Sequence, residues 1–254
     1  MSTLDIRLEE NVCTITLNRP DVRNAFDDKM IGEITSAFLN VSAKAVILQG
    51  EGKVFCAGGD LEWMKRSINL SEQENLRDAL ALGEMFRAID QTPCPVIAKV
   101  HGAAFGGGLG LICACDIVVA TEDTKFCFSE VKLGLAPAVI APYAIRKIGV
   151  SNAIRYFLTA EVFDSQEAQR IGLTHETVAQ DKIEGRINAI LDSILGNGPM
   201  AVRRAKSLVQ EIAHLSSDDA NTACAKAIAA LRVSEEGQEG VKAFLEKRNP
   251  GWMS

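Results

Sequence analysis

The chain has 254 residues, enough for one large domain or a domain with an appendage, and its 47% hydrophobic content is that of an ordinary globular protein. Its net charge of −6 argues against nucleic acid and anionic membrane as general partners, while leaving room for local basic residues to hold a polyanionic ligand. No apolar run reaches the roughly eighteen residues of a membrane span, and Met1-Ser2-Thr3-Leu4-Asp5 lacks the basic and apolar regions of a secretory signal.

The predicted elements alternate between strand and helix. Val12 to Leu17 alternates as a strand does, with Val12, Thr14 and Thr16 on one face and Cys13, Ile15 and Leu17 on the other. Met30, Ile31, Ile34, Ala37 and Phe38 have helical spacing within Asp27 to Leu39. Ala45 to Gln49 reads as a short buried strand. It leads to Gly50, Gly52 and then Phe55-Cys56-Ala57-Gly58-Gly59-Asp60. Ser71-Glu72-Gln73-Glu74 is a capping box that starts a helix to about Asp90, and Thr92-Pro93-Cys94-Pro95 breaks it. A strand over Val96 to Val100 passes through His101-Gly102 to the triplet Gly106-Gly107-Gly108, which opens a helix-like stretch from Leu109 to Ala114. Further strands are expected at Ile117 to Ala120 and Lys125 to Phe128.

Beyond about Gly196 the pattern is helical throughout. Pro199 suits a first helical position, and Ala201, Ala205, Leu208, Val209 and Ile212 share one periodicity. Ser234-Glu235-Glu236-Gly237 opens a last helix through Val241, Phe244 and Leu245. The expected fold class is therefore α/β, with residues 1–195 as the core and 196–254 as a C-terminal helical region.

The seven cysteines, Cys13, Cys56, Cys94, Cys113, Cys115, Cys127 and Cys224, show no C-x-x-C pairing, and most sit in apolar runs. They read as buried reduced thiols, which points to the cytoplasm. The histidines His101, His175 and His214 are scattered, and no metal site is expected. There is no G-x-S-x-G serine nucleophile.

The two glycine-rich turns carry the chemistry. A helix start presents unpaired N–H groups, and glycine lets an anionic group approach them closely. Two such turns can each supply one donor to a single oxygen, which makes an oxyanion hole. Close packing of helix on strand is the competing explanation. Dinucleotide binding fits poorly, because neither turn holds G-x-G-x-x-G or G-K-[ST].

Four segments together decide between these readings. They are Leu17-Asn18-Arg19-Pro20 with Asn24-Ala25-Phe26, Phe55 to Leu61, Ile97 to Ile117, and Ser129-Glu130-Val131-Lys132-Leu133-Gly134-Leu135. In this order they resemble the motifs of the enoyl-CoA hydratase/isomerase family, the crotonase superfamily. The likeness runs from about Ile6 to Lys247.

It implies a crotonase-like spiral of ββα turns with a C-terminal helical trimerisation region. It also implies a small-molecule acyl-CoA substrate, a homotrimer or dimer of trimers, and no cofactor beyond the coenzyme A of the substrate. By motif position the N–H donors are Gly59 and Gly107, and Glu130 is the catalytic carboxylate. Arg23, Ala25, Ala57, Asp60, Leu61, Gly110, Pro137 and Lys247 fall at substrate- or CoA-contacting positions. Lys247 can reach a neighbouring subunit in such proteins. Where many relatives carry lysine after the first turn, this chain has Glu62.

The family's first catalytic glutamate should fall three residues after Gly107, where this chain has Gly110. Three readings follow. Glu130 does both proton transfers of a hydration, or another carboxylate such as Glu84 or Asp60 substitutes, or the reaction is a one-base double-bond isomerisation. The segment Leu133 to Tyr143, with Asp60-Leu61-Glu62-Trp63-Met64, is similar to bacterial methylglutaconyl-CoA hydratases, which ranks hydratase ahead of Δ3,Δ2-isomerase. A non-catalytic acyl-CoA-binding protein is the reading from another class. RNA binding finds no basic stripe to support it.

Overall fold

A computed structural model describes residues 2–253. In chain order the elements are β1 (Leu4–Glu9), β2 (Val12–Leu17), α1 (Asp28–Asn40), β3 (Ala45–Gly50), α2 (Leu61–Ser67), α3 (Glu72–Asp90), β4 (Val96–Val100), β5 (Ala103–Phe105), α4 (Gly107–Ala114), β6 (Ile117–Thr121), β7 (Lys125–Cys127), α5 (Ala141–Thr159), β8 (Phe163–Asp164), α6 (Ser165–Arg170), β9 (Glu176–Val178), α7 (Ile183–Leu195), α8 (Pro199–Ile212), α9 (Ser217–Val233) and α10 (Glu235–Glu246). A 3-10 turn at Glu130–Leu133 matters for the site.

The chain divides into two compact units. One runs to Thr92 and resumes over Val96–Ile187; the other holds Pro93–Pro95 and the chain from Asn188 onward. The first contains a six-stranded sheet in the order β1-β2-β3-β4-β6-β9, antiparallel only between β1 and β2, and a three-stranded sheet β5-β7-β8. Consecutive segments β4-β5-α4 and β6-β7-α5 put one strand in each sheet and then a helix. β4 pairs parallel with β6, and β5 pairs parallel with β7, so successive ββα turns stack as a spiral. A parallel pair needs a long crossover, and the intervening helices supply it.

The local sequence explains these elements. In β2 Cys13, Ile15 and Leu17 are buried, each 5% exposed or less, and the alternation lapses at Thr16, which is buried as well at 7%. Strands β3, β4 and β6 are nearly continuous apolar runs because both faces of a parallel sheet are covered. Asp27 caps α1 by accepting from Met30 N–H at 3.0 Å. The Ser71/Glu74 capping box at α3 is fully formed. Phe128 lies just past the end of β7, within the usual uncertainty of strand ends.

The second unit holds α8, α9 and α10. Pro199 takes an initial position of α8, whose next N–H groups, on Met200 and Ala201, donate to the Glu236 carboxylate at 2.8 Å each. Trp252 Nε1–H donates to Gly196 O at 3.2 Å and ties the chain end to the start of this unit. Among the described residues no helix is long and apolar enough to cross a membrane. None of the seven cysteines forms a disulfide; Cys224 is half-buried and the other six are buried.

Candidate active site

After β3 the chain turns at Gly50, and residues 55–60 run between two neighbours. On one side Cys56 N–H donates to Ala103 O at 3.2 Å, and Phe105 N–H donates back to Cys56 O at 3.0 Å. On the other side Ala57 N–H donates to Arg23 O at 3.0 Å, Phe26 N–H to Gly58 O at 2.9 Å and Asp60 N–H to Phe26 O at 3.0 Å. A trans peptide puts its C=O and N–H on opposite sides. The Gly58 carbonyl faces Phe26, so the Gly59 N–H points the other way. The fully buried Asn24 braces this turn, its Nδ2 donating to the carbonyls of Glu51, Val54 and Phe55 at 2.8, 3.0 and 3.1 Å.

The second turn is equally constrained. Gly106 has φ 51° and ψ −124°, a conformation that side chains disfavour. Its N–H donates to Cys127 O at 2.9 Å. Gly107 is the first residue of α4, and a Cβ there would sit 2.3 Å from the ring tip of Phe26. The turns also touch one another: a Cβ on Gly58 would lie 2.8 Å from Phe105 O and 3.4 Å from Gly107 N. Gly59 and Gly107 are half-buried, whereas Gly58, Gly106 and Gly108 are buried. Among the described residues no backbone carbonyl accepts from the N–H of Gly59 or Gly107. Two unpaired donors therefore sit on adjoining turns.

Glu130 begins the 3-10 turn after β7, which Gly134 ends in the left-handed region. Its carboxylate packs against Gly106: an ideal Cβ on that glycine would be 3.4 Å from Glu130 Oε1. Oε2 is buried without a hydrogen-bond partner. Burial pushes the Glu130 carboxyl above its ordinary range, as a proton-transfer group requires. Such an unpaired buried oxygen is costly, and a catalytic role is one of the reasons a protein keeps one.

A cleft of about 1000 Å³ borders this arrangement. Its wall includes Arg23, Ala25, Ala57, Gly59, Asp60 and Leu61, six of the residues expected from the sequence. Gly107 and Glu130 are not part of that wall; Gly107 N lies 3.4 Å from an ideal Cβ on Gly58, the residue before Gly59, and Glu130 packs on Gly106, the residue before Gly107. Pro137 is buried outside that wall. Lys247, exposed at the left-handed C-cap of α10, belongs to the other unit.

Gly110 does not face open space. A Cβ there would be 2.5 Å from both Phe86 Cζ and Ile140 Cγ2. The two carboxylates considered as substitutes are already engaged. Asp60 accepts from Glu62 N–H at 2.8 Å and from Arg19 at 2.9 Å. Burial pushes its carboxyl up, but these donors hold it below the ordinary value. Glu84 is half-buried, pairs with Arg87, and is held low by that hydrogen bond. It faces a separate groove of about 420 Å³ between α1 and α3.

His101 contacts Gly52 O through Nε2 at 2.9 Å, and His175 Nδ1 accepts from Val118 N–H at 3.0 Å, so both rings are bonded to backbone. Among the described residues no group of three His, Cys, Asp or Glu could hold a metal ion. Sequence reasoning missed the linking role of Arg19 and the pair Phe86 and Ile140. Arg19 stood in a recognised motif, but nothing local announced its distant partners.

Residues 7–254 match the enoyl-CoA hydratase/isomerase family. The chain belongs to that family. It is 34% identical to the crotonyl-CoA hydratase of Syntrophomonas wolfei, over 97% of this chain and 96% of that one. Among solved structures, an enoyl-CoA hydratase from Shewanella pealeana superposes with a TM-score of 0.94 at 40% identity, covering 98% of this chain and 96% of that one. Pseudomonas aeruginosa AtuE superposes with a TM-score of 0.96 at 35% identity, with complete coverage of both chains. The expected crotonase fold is thus found. The protein is an enzyme of the crotonase superfamily, and membership implies an acyl-CoA substrate.

Proposed function

We propose that this protein is an enoyl-CoA hydratase that adds water across the α,β double bond of an acyl-CoA, with Glu130 as its single proton-transfer group. The observation that carries this reading is the Glu130 carboxylate, with one oxygen buried and unpaired, set against the turn that exposes Gly107 N–H. Water attacks Cβ while Glu130 takes one of its protons. The π electrons move through Cα onto the thioester oxygen, where the N–H groups of Gly59 and Gly107 hold the enolate. Glu130 then delivers the same proton to Cα as the carbonyl re-forms. One water is consumed, and the carboxylate is regenerated. The crowding of Gly110 by Phe86 and Ile140 supports a one-carboxylate mechanism, because a second glutamate has no room there.

The acyl group in this proposal is branched and methylglutaconyl-like, on the strength of the Leu133–Tyr143 segment. Arg23, exposed on the cleft, and Lys247 hold the phosphates of coenzyme A, with Lys247 serving a neighbouring subunit of a trimer or dimer of trimers. Coenzyme A enters only as part of the substrate, and the enzyme works in the cytoplasm.

Δ3,Δ2-Isomerisation is the second reading, and the same single base favours it. Glu130 would remove a proton from Cα of a 3-enoyl thioester, giving a dienolate on the same two N–H groups, and return it to Cγ. A panel of 2-enoyl- and 3-enoyl-CoA thioesters, followed at the enone absorbance with products identified by mass, separates the readings. Hydration adds the mass of water, and isomerisation adds nothing. A chain that binds every ester and turns over none would be an acyl-CoA-binding protein instead.

A further inference from the structure

The guanidinium of Arg19 lies half-buried on the cleft wall and joins both segments that flank Gly59. Its Nη1 donates to Ala25 O at 2.5 Å, and its Nη2 donates to Asp60 Oδ2 at 2.9 Å. The same Nη2 stands 3.3 Å from Asp27 Oδ2. Each carboxylate uses its other oxygen to cap a helix. Asp27 Oδ1 accepts from Met30 N–H at 3.0 Å at the start of α1. Asp60 Oδ1 accepts from Glu62 N–H at 2.8 Å and Trp63 N–H at 3.4 Å at the start of α2.

One cation therefore links two helix starts and the two backbone strips, 23–27 and 57–60, that run side by side. Gly59 lies within the second strip, next to the carboxylate that Arg19 holds. The orientation of its N–H depends on the Gly58 carbonyl staying bonded to Phe26 N–H at 2.9 Å. That bond lies between the two attachment points of Arg19, Ala25 and Asp60. Planar guanidinium geometry suits this task, since it fixes direction as well as charge.

We infer that Arg19 is a positioning residue for the oxyanion hole: by clamping Asp60 to Asp27 and to Ala25 O, it holds the Gly58–Gly59 peptide so that Gly59 N–H meets the thioester oxygen. Both Nη atoms of Arg19 are engaged with the protein, which sets its role apart from phosphate binding by Arg23. The inference rests on the oxyanion-hole reading given under the proposed function, and its test keeps the two apart.

The test uses the full-length enzyme and a dialkylaminocinnamoyl thioester of coenzyme A, whose absorption moves to the red as its carbonyl is polarised. The wild type should show that red shift. Glu130→Gln should keep it while losing turnover. Arg19→Met should lose most of it and lower kcat by about 10- to 100-fold with KM changed less than about threefold. Arg19→Lys, which keeps the charge but not the fork, should fall between the two. Asp60→Asn combined with Arg19→Met should be no worse than Arg19→Met alone, because the two act as one unit.

If Arg19→Met keeps the full red shift and kcat, the positioning role is wrong. Where Arg19→Met does not fold, Arg19→Lys decides: a full shift with unaltered kcat overturns the inference, and a reduced shift upholds it. A change confined to KM would mark Arg19 as a binding residue and overturn the inference as well. A wild type that turns over enoyl thioesters without polarising the probe would overturn the oxyanion-hole reading itself.

Discussion

At the scale of single residues, Glu130 ties activity to stability. Its carboxyl titrates above the ordinary value of 4.5 in the folded protein because burial disfavours the charge. Between 4.5 and that raised value the native chain keeps a proton which the unfolded chain has released. Stability therefore falls as pH rises through this window. Glu130→Gln removes the penalty. The Tm of the variant relative to the wild type should climb as pH rises from 4.5 through the raised value, while kcat drops at least about 100-fold with KM little changed. Parallel Tm curves would show that the carboxyl titrates normally. Near wild-type turnover would move the chemistry to another residue.

Gly110 gives a second prediction at this scale. Alanine there gains about 1 kcal/mol of helix propensity and loses about 1–3 kcal/mol to overpacking against Phe86 and Ile140. Gly110→Ala should thus melt lower than the wild type, and Gly110→Glu lower still. Trimming Phe86 to alanine in the Gly110→Glu protein should recover folded yield, measured by circular dichroism. Full stability of Gly110→Glu would mean that the neighbouring side chains swing aside readily.

At the scale of elements, the start of α4 is set by what lies beneath it. The Phe26 ring comes from the strip beside the first turn and fills the position that a Gly107 side chain would need. Gly107→Ala must displace the turn that carries the donor. We expect kcat to fall by more than about tenfold, with partial recovery on adding Phe26→Leu, which removes the ring tip. A Gly107→Ala enzyme with unaltered kinetics would show that the turn tolerates the methyl group. Ser71→Ala serves as the contrast. It removes the capping box of α3, away from the reacting groups, and should cost about 1 kcal/mol of stability without altering kcat.

At the scale of the molecule, the C-terminal helices leave apolar side chains in water. In α10, Val241, Phe244 and Leu245 are 59%, 82% and 74% exposed, and in α9 Val233 is 80% exposed. Surfaces of this kind mark association sites. We expect the chain to form trimers or dimers of trimers, measured by light scattering. Truncation from Ser234 should reduce both the oligomer size and the affinity for CoA esters. A truncated chain that keeps its assembly and its affinity would refute both expectations, and a monomeric wild type would remove the cross-subunit role of Lys247.

The sequence by itself determined the elements whose signals are local. The alternation in β2, the spacing in α1, the capping box of α3 and the glycine triplet before α4 each depend on residues a few positions apart. It also showed the two glycine turns and Glu130 as candidates, and six of its expected contact residues share one cleft. Short elements without strong periodicity stayed hidden. β5, with three residues, gains its structure from its partners rather than propensity.

Only the tertiary structure decided how these pieces meet. Parallel register sets residues 55–60 between 103–105 and 23–26, and from that placement follow the direction of the Gly59 N–H and the clamp at Arg19. Gly110 stands where the family carries glutamate, but only the fold shows that α3 brings Phe86 against it and that Ile140 closes the other side. The unpaired Glu130 oxygen has the same origin. Desolvation and close approach are properties of neighbours distant in sequence, and no local pattern encodes them.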